Sequence, residues 1–193
     1  MLGKQAKVLS DQQIKAVLGS LQSGRNALRN RVMFLLTLHG LRAVEVANIE
    51  ISMVVDAEKK VGEEIRLENK ACKMLSGRVI YMNKMLKDAL VQYLEERKNN
   101  PSKYLVVTER SEKFSANAVA VFFQRLYRRL GFQGVSSHSG RRTFITKAAR
   151  KISLVGGSLR DVQLLAGHAS LNSTQLYVLH DVDAQRKVVQ AIY

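Results

Sequence analysis

The sequence predicts a mixed α+β domain, mainly α-helical, with a small antiparallel β-sheet. Three observations predict it. Apolar residues recur at helical spacing along much of the chain, as in Val119, Phe122, Phe123, Leu126 and Leu130. β-leaning segments are confined to residues 51–55, 63–68 and 78–82, where Ile65 and Leu67, then Val79, Ile80 and Met82, suggest a small antiparallel sheet. A hydrophobic content of 46% with a single proline describes a folded chain. No internal repeat, linker or low-complexity stretch divides the 193 residues, so 1–193 reads as one domain, long enough to bury a full core.

Each element has a local reason. Ser10 and Gln13 form a capping-box pattern ahead of Ile14, Val17, Leu18 and Leu21, and Gly24 closes that helix. A helix over 26–39 carries Val32-Met33-Phe34-Leu35-Leu36. Gly40 breaks it and leaves Arg42 at the start of a turn or short helix. The β-leaning segments follow, then a helix over 84–97 and a short strand over 104–107. Ser115 caps the next helix, whose apolar face is Val119 to Leu130, with Arg125, Arg128 and Arg129 along another face. Gly131 terminates it. A helix over 137–151 contains His138. After the Gly156-Gly157 loop, Ser158 caps a helix that turns Val162, Leu164 and Leu165 inward and ends at Gly167. A short helix over 173–179 holds Tyr177, and the tail over 182–193 is weakly amphipathic.

Composition narrows the partners. The net charge is +15, from 31 Lys and Arg against 16 Asp and Glu. Residues 110–151 concentrate it, with Glu112 as their single acidic residue. Such a footprint suits nucleic acid or anionic lipid. Lipid binding needs a basic helix with bulky apolar residues left exposed, and these helices use their apolar faces for a core. Double-stranded nucleic acid is therefore the expected partner, and no membrane. No apolar run approaches the ~20 residues of a membrane helix, and the N-terminus lacks the apolar core of a signal peptide. Cys72 is the lone cysteine, which fits a reducing, cytoplasmic setting.

Five residues suggest phosphodiester chemistry. His138 and Arg141 are three apart, on one face near a helix N-terminus, where the helix dipole favours an anion. Arg142 is a competitor, but it points about 100° away around the helix. Arg42 can bond two phosphate oxygens at once, with Glu45 holding it in place. His168 follows Gly167 at a helix end, where an imidazole serves as acid, base or donor. Tyr177 lies nine residues beyond His168. A free phenol ionises near pH ~10, so as a nucleophile it needs cations or a base nearby. Each residue alone has an ordinary reading: a capping histidine, a surface ion pair, a core tyrosine. Lys70 and Lys73, between the second and third β-leaning segments, can each donate a proton to a leaving oxygen. There is no Walker-type glycine loop, HExxH or paired cysteines, and neither His39 nor His180 has metal-ligand spacing. No metal or cofactor is expected.

Together these residues resemble the tyrosine recombinase (phage integrase) family. Gly40-Leu41-Arg42 with Glu45 looks like its first-arginine box, and 136–144, containing His138-Ser139-Gly140-Arg141, like its HxxR box. Residues 161–170, containing Gly167-His168, run on to Tyr177 as its last box does. The likeness covers about residues 8–182. It implies that Tyr177 attacks a DNA phosphate to form a 3′-phosphotyrosyl link, and that Arg42, Arg141, His138 and His168 stabilise the pentavalent transition state. It also implies a β-hairpin lysine that protonates the leaving 5′ oxygen. Residues 72–80 resemble that hairpin and favour Lys73, five residues before Arg78, over Lys70. The family's usual proline after this strand's apolar pair is Tyr81 here.

The expected activity is site-specific DNA cleavage, exchange and religation. DNA contacts are expected from Lys70, Arg125, Arg128, Arg129, Arg142 and Lys147. Most members carry a separate N-terminal helical domain. Here the first helix starts near residue 10, so that domain is expected to be absent. The chain is expected to be a monomer in solution and a tetramer on DNA, with the tail over 183–193 docking on a neighbouring protomer. Two rivals are a DNA-binding module of the same fold that no longer cuts, and a type IB topoisomerase-like enzyme. The intact residue set opposes the first; the short chain and the Gly-His pair before Tyr177 oppose the second.

Overall fold

The structure is a computed structural model and describes residues 6–72, 77–177 and 190. Eight α-helices and one β-hairpin are formed among these residues. Helix α1 (Asp11–Ser20) starts at the expected capping box: Ser10 Oγ accepts from Gln13 N–H (3.2 Å), and Gln13 Oε1 accepts from Ser10 N–H (3.0 Å). Helix α2 (Ala27–Leu38) is the centre of the molecule. Every residue from Val32 to Thr37 is buried, as its continuous apolar run requires. Helix α3 (Ala43–Asn48) begins just after Arg42.

The sheet is a single antiparallel hairpin, β1 (Glu64–Leu67) and β2 (Arg78–Tyr81), with Ile65 opposite Ile80 and Leu67 opposite Arg78. Its alternation puts Ile65, Leu67 and Ile80 into the core. Helix α4 (Lys84–Glu96) is capped by Asn83, and α5 (Ala116–Arg129) by Ser115. Helix α6 (Ser139–Lys151) packs on α2, and α7 (Leu159–Ala166) packs on α6 and β2. Helix α8 (Leu171–Gln175) is a single turn and a half.

Several expectations fail locally. Residues 51–55 are not a strand: Ile51–Met53 form a 3-10 turn. Here Met53 and Val54 are buried by folding back, not by pairing, with Gly62 N–H on Val54 O at 3.1 Å. The strand over 104–107 reduces to one bridge, Tyr104 with Glu50. The helix over 137–151 begins at Ser139, because Ser136 and Ser139 close a turn ahead of it, with His138 at the cap. Leu164 is not inward but 59% exposed, since α7 is too short to bury more than the side carrying Val162 and Ala166. Tyr177 stands two residues past α8, in a turn closed by its N–H on Thr174 O (3.0 Å). Most of the tail over 182–193 lies outside the described residues.

Candidate active site

One segment of backbone organises the site. The last carbonyls of α7 have no partners within the helix, and the helix dipole makes that end negative. Three arginines from three distant segments occupy them. Arg78 Nε donates to Leu165 O (3.2 Å), Arg141 Nη2 to Ala166 O (2.7 Å) and Arg42 Nη2 to Gly167 O (3.1 Å). Gly40 O, released where α2 stops, accepts from both Arg78 Nη2 (3.2 Å) and Arg141 Nη1. Gly40 has φ +89°, and a Cβ there would sit 2.8 Å from the Phe144 ring, so this turn requires glycine.

Glu45 neutralises part of this charge. Its carboxylate is fully buried and fully used. Oε1 accepts from Arg42 Nη1 (2.7 Å) and Arg78 Nη1 (3.0 Å). Oε2 accepts from Arg42 N–H (2.8 Å) and Arg78 Nη2 (3.0 Å). Burial opposes the charge, but the hydrogen bonds and charges of Arg78 and Arg42 outweigh it and hold the carboxyl down at about 2. Three guanidiniums against one carboxylate leave a net positive site. Burial above all, with Arg42 and Arg78 close by, lowers Arg141 to about 9 against the partial help of Glu45; it stays protonated at neutral pH.

The cleft in front of this frame has a volume of about 470 Å³ and is lined by Arg42, Arg141, His138, His168 and Tyr177, together with Ala6, Ser136, Arg142 and Leu176. The five residues singled out for chemistry therefore meet. His138 is exposed at the mouth of α6. His168 Nδ1 shares a hydrogen bond with Thr174 Oγ1 (2.9 Å), and its ring stacks on Tyr177 with centroids 5.6 Å apart. Burial, then the charges of Arg141, Arg42 and Arg78, push His168 down to about 4, so its imidazole is neutral at neutral pH. Such a ring can accept a hydrogen bond through its unprotonated nitrogen.

Arg142 does not turn away from the cleft: it lines it, with its guanidinium 5.2 Å from the centre of the Tyr177 ring. The angular offset along α6 is real, but Tyr177 arrives on that side. Lys147 stands apart, paired with Asp11 beside an apolar groove that includes Ile14, Leu18 and Phe144. Lys70 is engaged by Glu50 (2.9 Å) and Glu68 (3.1 Å). Arg125, Arg128 and Arg129 are exposed on α5, outside the cleft lining. Lys73 lies outside the described residues. His39 is structural, its Nδ1 against Leu35 O at 2.8 Å. Among the described residues no cluster of His, Cys, Asp or Glu could hold a metal ion, and no helix is long and apolar enough to cross a membrane. Sequence reasoning missed Arg78 as a site residue. Its signal was a lone arginine opening an apolar strand whose side chains alternate inward and outward.

The family model of the phage integrase family matches residues 7–184. Tyrosine recombinase XerA of Thermococcus kodakarensis is 30% identical over 185 residues, covering 94% of this chain and 61% of that protein. The chain thus spans less than two thirds of this relative's length. The crystal structure of XerA recombinase superposes with a TM-score of 0.74 at 26% identity, covering 97% of this chain and 65% of that one. The Tn1549 transposon integrase, in complex with a circular intermediate DNA, gives a TM-score of 0.78 at 18% identity, over 97% of this chain and 66% of that one, a likeness of fold.

Proposed function

The chain belongs to the phage integrase family, and from that premise we propose that it is the catalytic part of a site-specific tyrosine recombinase acting on double-stranded DNA. The observation that carries this is the convergence of Arg42, His138, Arg141, His168 and Tyr177 on one cleft from separate stretches of sequence.

The reaction follows from their chemistry. The Tyr177 hydroxyl attacks the phosphorus of a scissile phosphodiester. His168, stacked on its ring and lining the same cleft, is the proposed acceptor of the phenolic proton. Arg42 and Arg141 face the charge that builds on the non-bridging oxygens and need little reorganisation, because the α7 carbonyls, Gly40 O and Glu45 already orient them. His138 adds a donor from the helix mouth. The P–O5′ bond breaks, the 5′ oxygen takes a proton, and Lys73 is the proposed donor. The product is a 3′-phosphotyrosyl ester and a free 5′ hydroxyl. Attack by a 5′ hydroxyl on that ester reverses the step, so the strand is resealed without a nucleotide.

Supporting DNA contacts are assigned to Arg142 at the cleft and to the basic residues outside it: Lys70, Arg125, Arg128, Arg129 and Lys147. We propose a cytoplasmic, DNA-associated protein, monomeric when free and tetrameric on two duplexes. The test is a nicked duplex from the native locus, which traps the cleaved state by letting the short strand diffuse away. A denaturation-resistant protein–DNA adduct should form in the presence of a chelator. Absence of any adduct on a site the protein binds tightly favours the non-cutting DNA-binding module.

A further inference from the structure

We infer that Arg78 is a positioning residue that locks Arg42 and the Gly167-His168 turn to the β-hairpin. The inference rests on the recombinase reading for its catalytic consequence. Its structural basis stands separately.

Arg78 opens β2. Its side chain is only 6% exposed, against 28% for Arg42, and it is not part of the cleft lining. Lying outside that lining, it is not placed to touch a phosphate as Arg42 is. Its donors are spent inward: two on Glu45, one on Gly40 O and one on Leu165 O. A buried guanidinium is costly unless every such bond is made. What it gains is a connection between three separate parts of the site.

The geometry shows what each connection fixes. The two bonds to Glu45 form a planar fork, and the same carboxylate holds Arg42 through both its guanidinium and its backbone N–H. The orientation of Arg42 is thus set through Glu45 by Arg78. The bond to Leu165 O reaches the carbonyl adjacent to the Arg141 acceptor, two residues before Gly167. Gly167 itself has φ +61°, and a Cβ there would lie 2.9 Å from Arg78 Cδ, so the Arg78 stem fills the space that glycine leaves. His168 follows directly.

Lysine cannot replace this fork. One ammonium has no planar pair of donors with which to grip both carboxylate oxygens and two carbonyls at once. Arg78→Lys keeps the charge and should fold, yet should release Arg42. In single-turnover cleavage at saturating DNA, we expect a rate loss of about 10-fold or more with little change in affinity. The loss should multiply only in part with that of Arg42→Ala: the double variant should be faster than the product of the two single losses predicts, because part of the Arg78 effect passes through Arg42. Nitrogen-15 NMR of the arginine side chains reads positioning without activity. Rotation of the Arg42 guanidinium should be hindered in the wild type and free in Arg78→Lys. If Arg78→Lys does not fold, Glu45→Gln probes the same link from its centre and should free Arg42 likewise. Unchanged Arg42 rotation, or a rate loss that multiplies in full with that of Arg42→Ala, overturns the inference. A wild-type protein that forms no adduct overturns the recombinase reading alone.

Discussion

Arg141 and Tyr177 line the same cleft but are held in different ways. Arg141 is 5% exposed, lies beside the central helix α2, and gives its guanidinium to two backbone carbonyls. Tyr177 is partly buried and rests by its own ring against the His168 imidazole and the Arg142 guanidinium. The α2 helix beside Arg141 belongs to a core running from Leu9 to Tyr127. Beneath Tyr177 is a small cluster of Ile145, Val162 and Ala166. The proposed phosphate-facing charges are thus set beside the larger core, and the proposed attacking group is carried by a thin edge. Preorganised charge works only if it does not relax when the substrate arrives, whereas a nucleophile needs correct placement only at attack. Small apolar clusters also open more readily than large ones.

The largest effect expected from breaking this contrast is at the frame. Arg141→Ala or Arg42→Ala should each slow strand cleavage by ~10²-fold or more, the usual loss when a transition-state donor is removed. Arg142→Ala should cost only about 10-fold, since Arg142 meets the ring of Tyr177. Single-turnover rates on a nicked duplex measure all three. Equal losses at Arg141 and Arg142 contradict the division between frame and edge.

A smaller effect should follow where the frame meets the core. Gly140, beside Arg141, packs against α2 so tightly that a Cβ would lie 2.2 Å from Thr37 Oγ1 and 3.3 Å from its backbone carbon. Thr37 is buried and its hydroxyl is bonded to Phe34 O, so it has little room to yield. Gly140→Ala should destabilise the fold by ~1–3 kcal/mol, the usual cost of overpacking. Denaturant unfolding measures it. Cleavage should fall as well, because Arg141 shifts with the helix. Wild-type stability in this variant rejects the tight α2–α6 contact.

The smallest effect is a pH dependence at the edge. His168 is held at about 4 when folded, below its ordinary value of 6.5. Between these values the unfolded chain binds the proton and the folded one does not. Stability therefore falls as pH drops from about 6.5 toward 4. Buried His39 acts in the same sense. The difference between wild type and His168→Gln, taken from unfolding curves across this window, isolates the contribution of His168. No difference in slope means that its imidazole is not held neutral.

Much of this was legible in the sequence. The caps at Ser10 and Ser115 and the apolar spacing of α5 are local signals, and local physics realises them. The motifs holding Arg42, His138, Arg141, His168 and Tyr177 were legible because each residue type has a distinct task. What escaped depends on the assembled molecule. Residues 51–55 look β-like, but the core buries Met53 and Val54 in a turn. Leu164 looked inward, but α7 covers too little surface to bury it. Arg142 seemed misdirected because the path of the chain to Tyr177 is not a property of α6. Arg78 was read only as a landmark, since its partners are carbonyls and a carboxylate from three other segments.

The most direct test of the account is to identify the residue that carries the DNA. A denaturation-resistant adduct from the wild-type chain, digested and sequenced by mass spectrometry, should place the nucleotide on Tyr177. Tyr177→Phe should bind the same duplex with nearly unchanged affinity, because the arginine frame does not depend on the hydroxyl, and should form no adduct. An adduct on another tyrosine, or one that persists in Tyr177→Phe, contradicts the assignment of this edge as the attacking group.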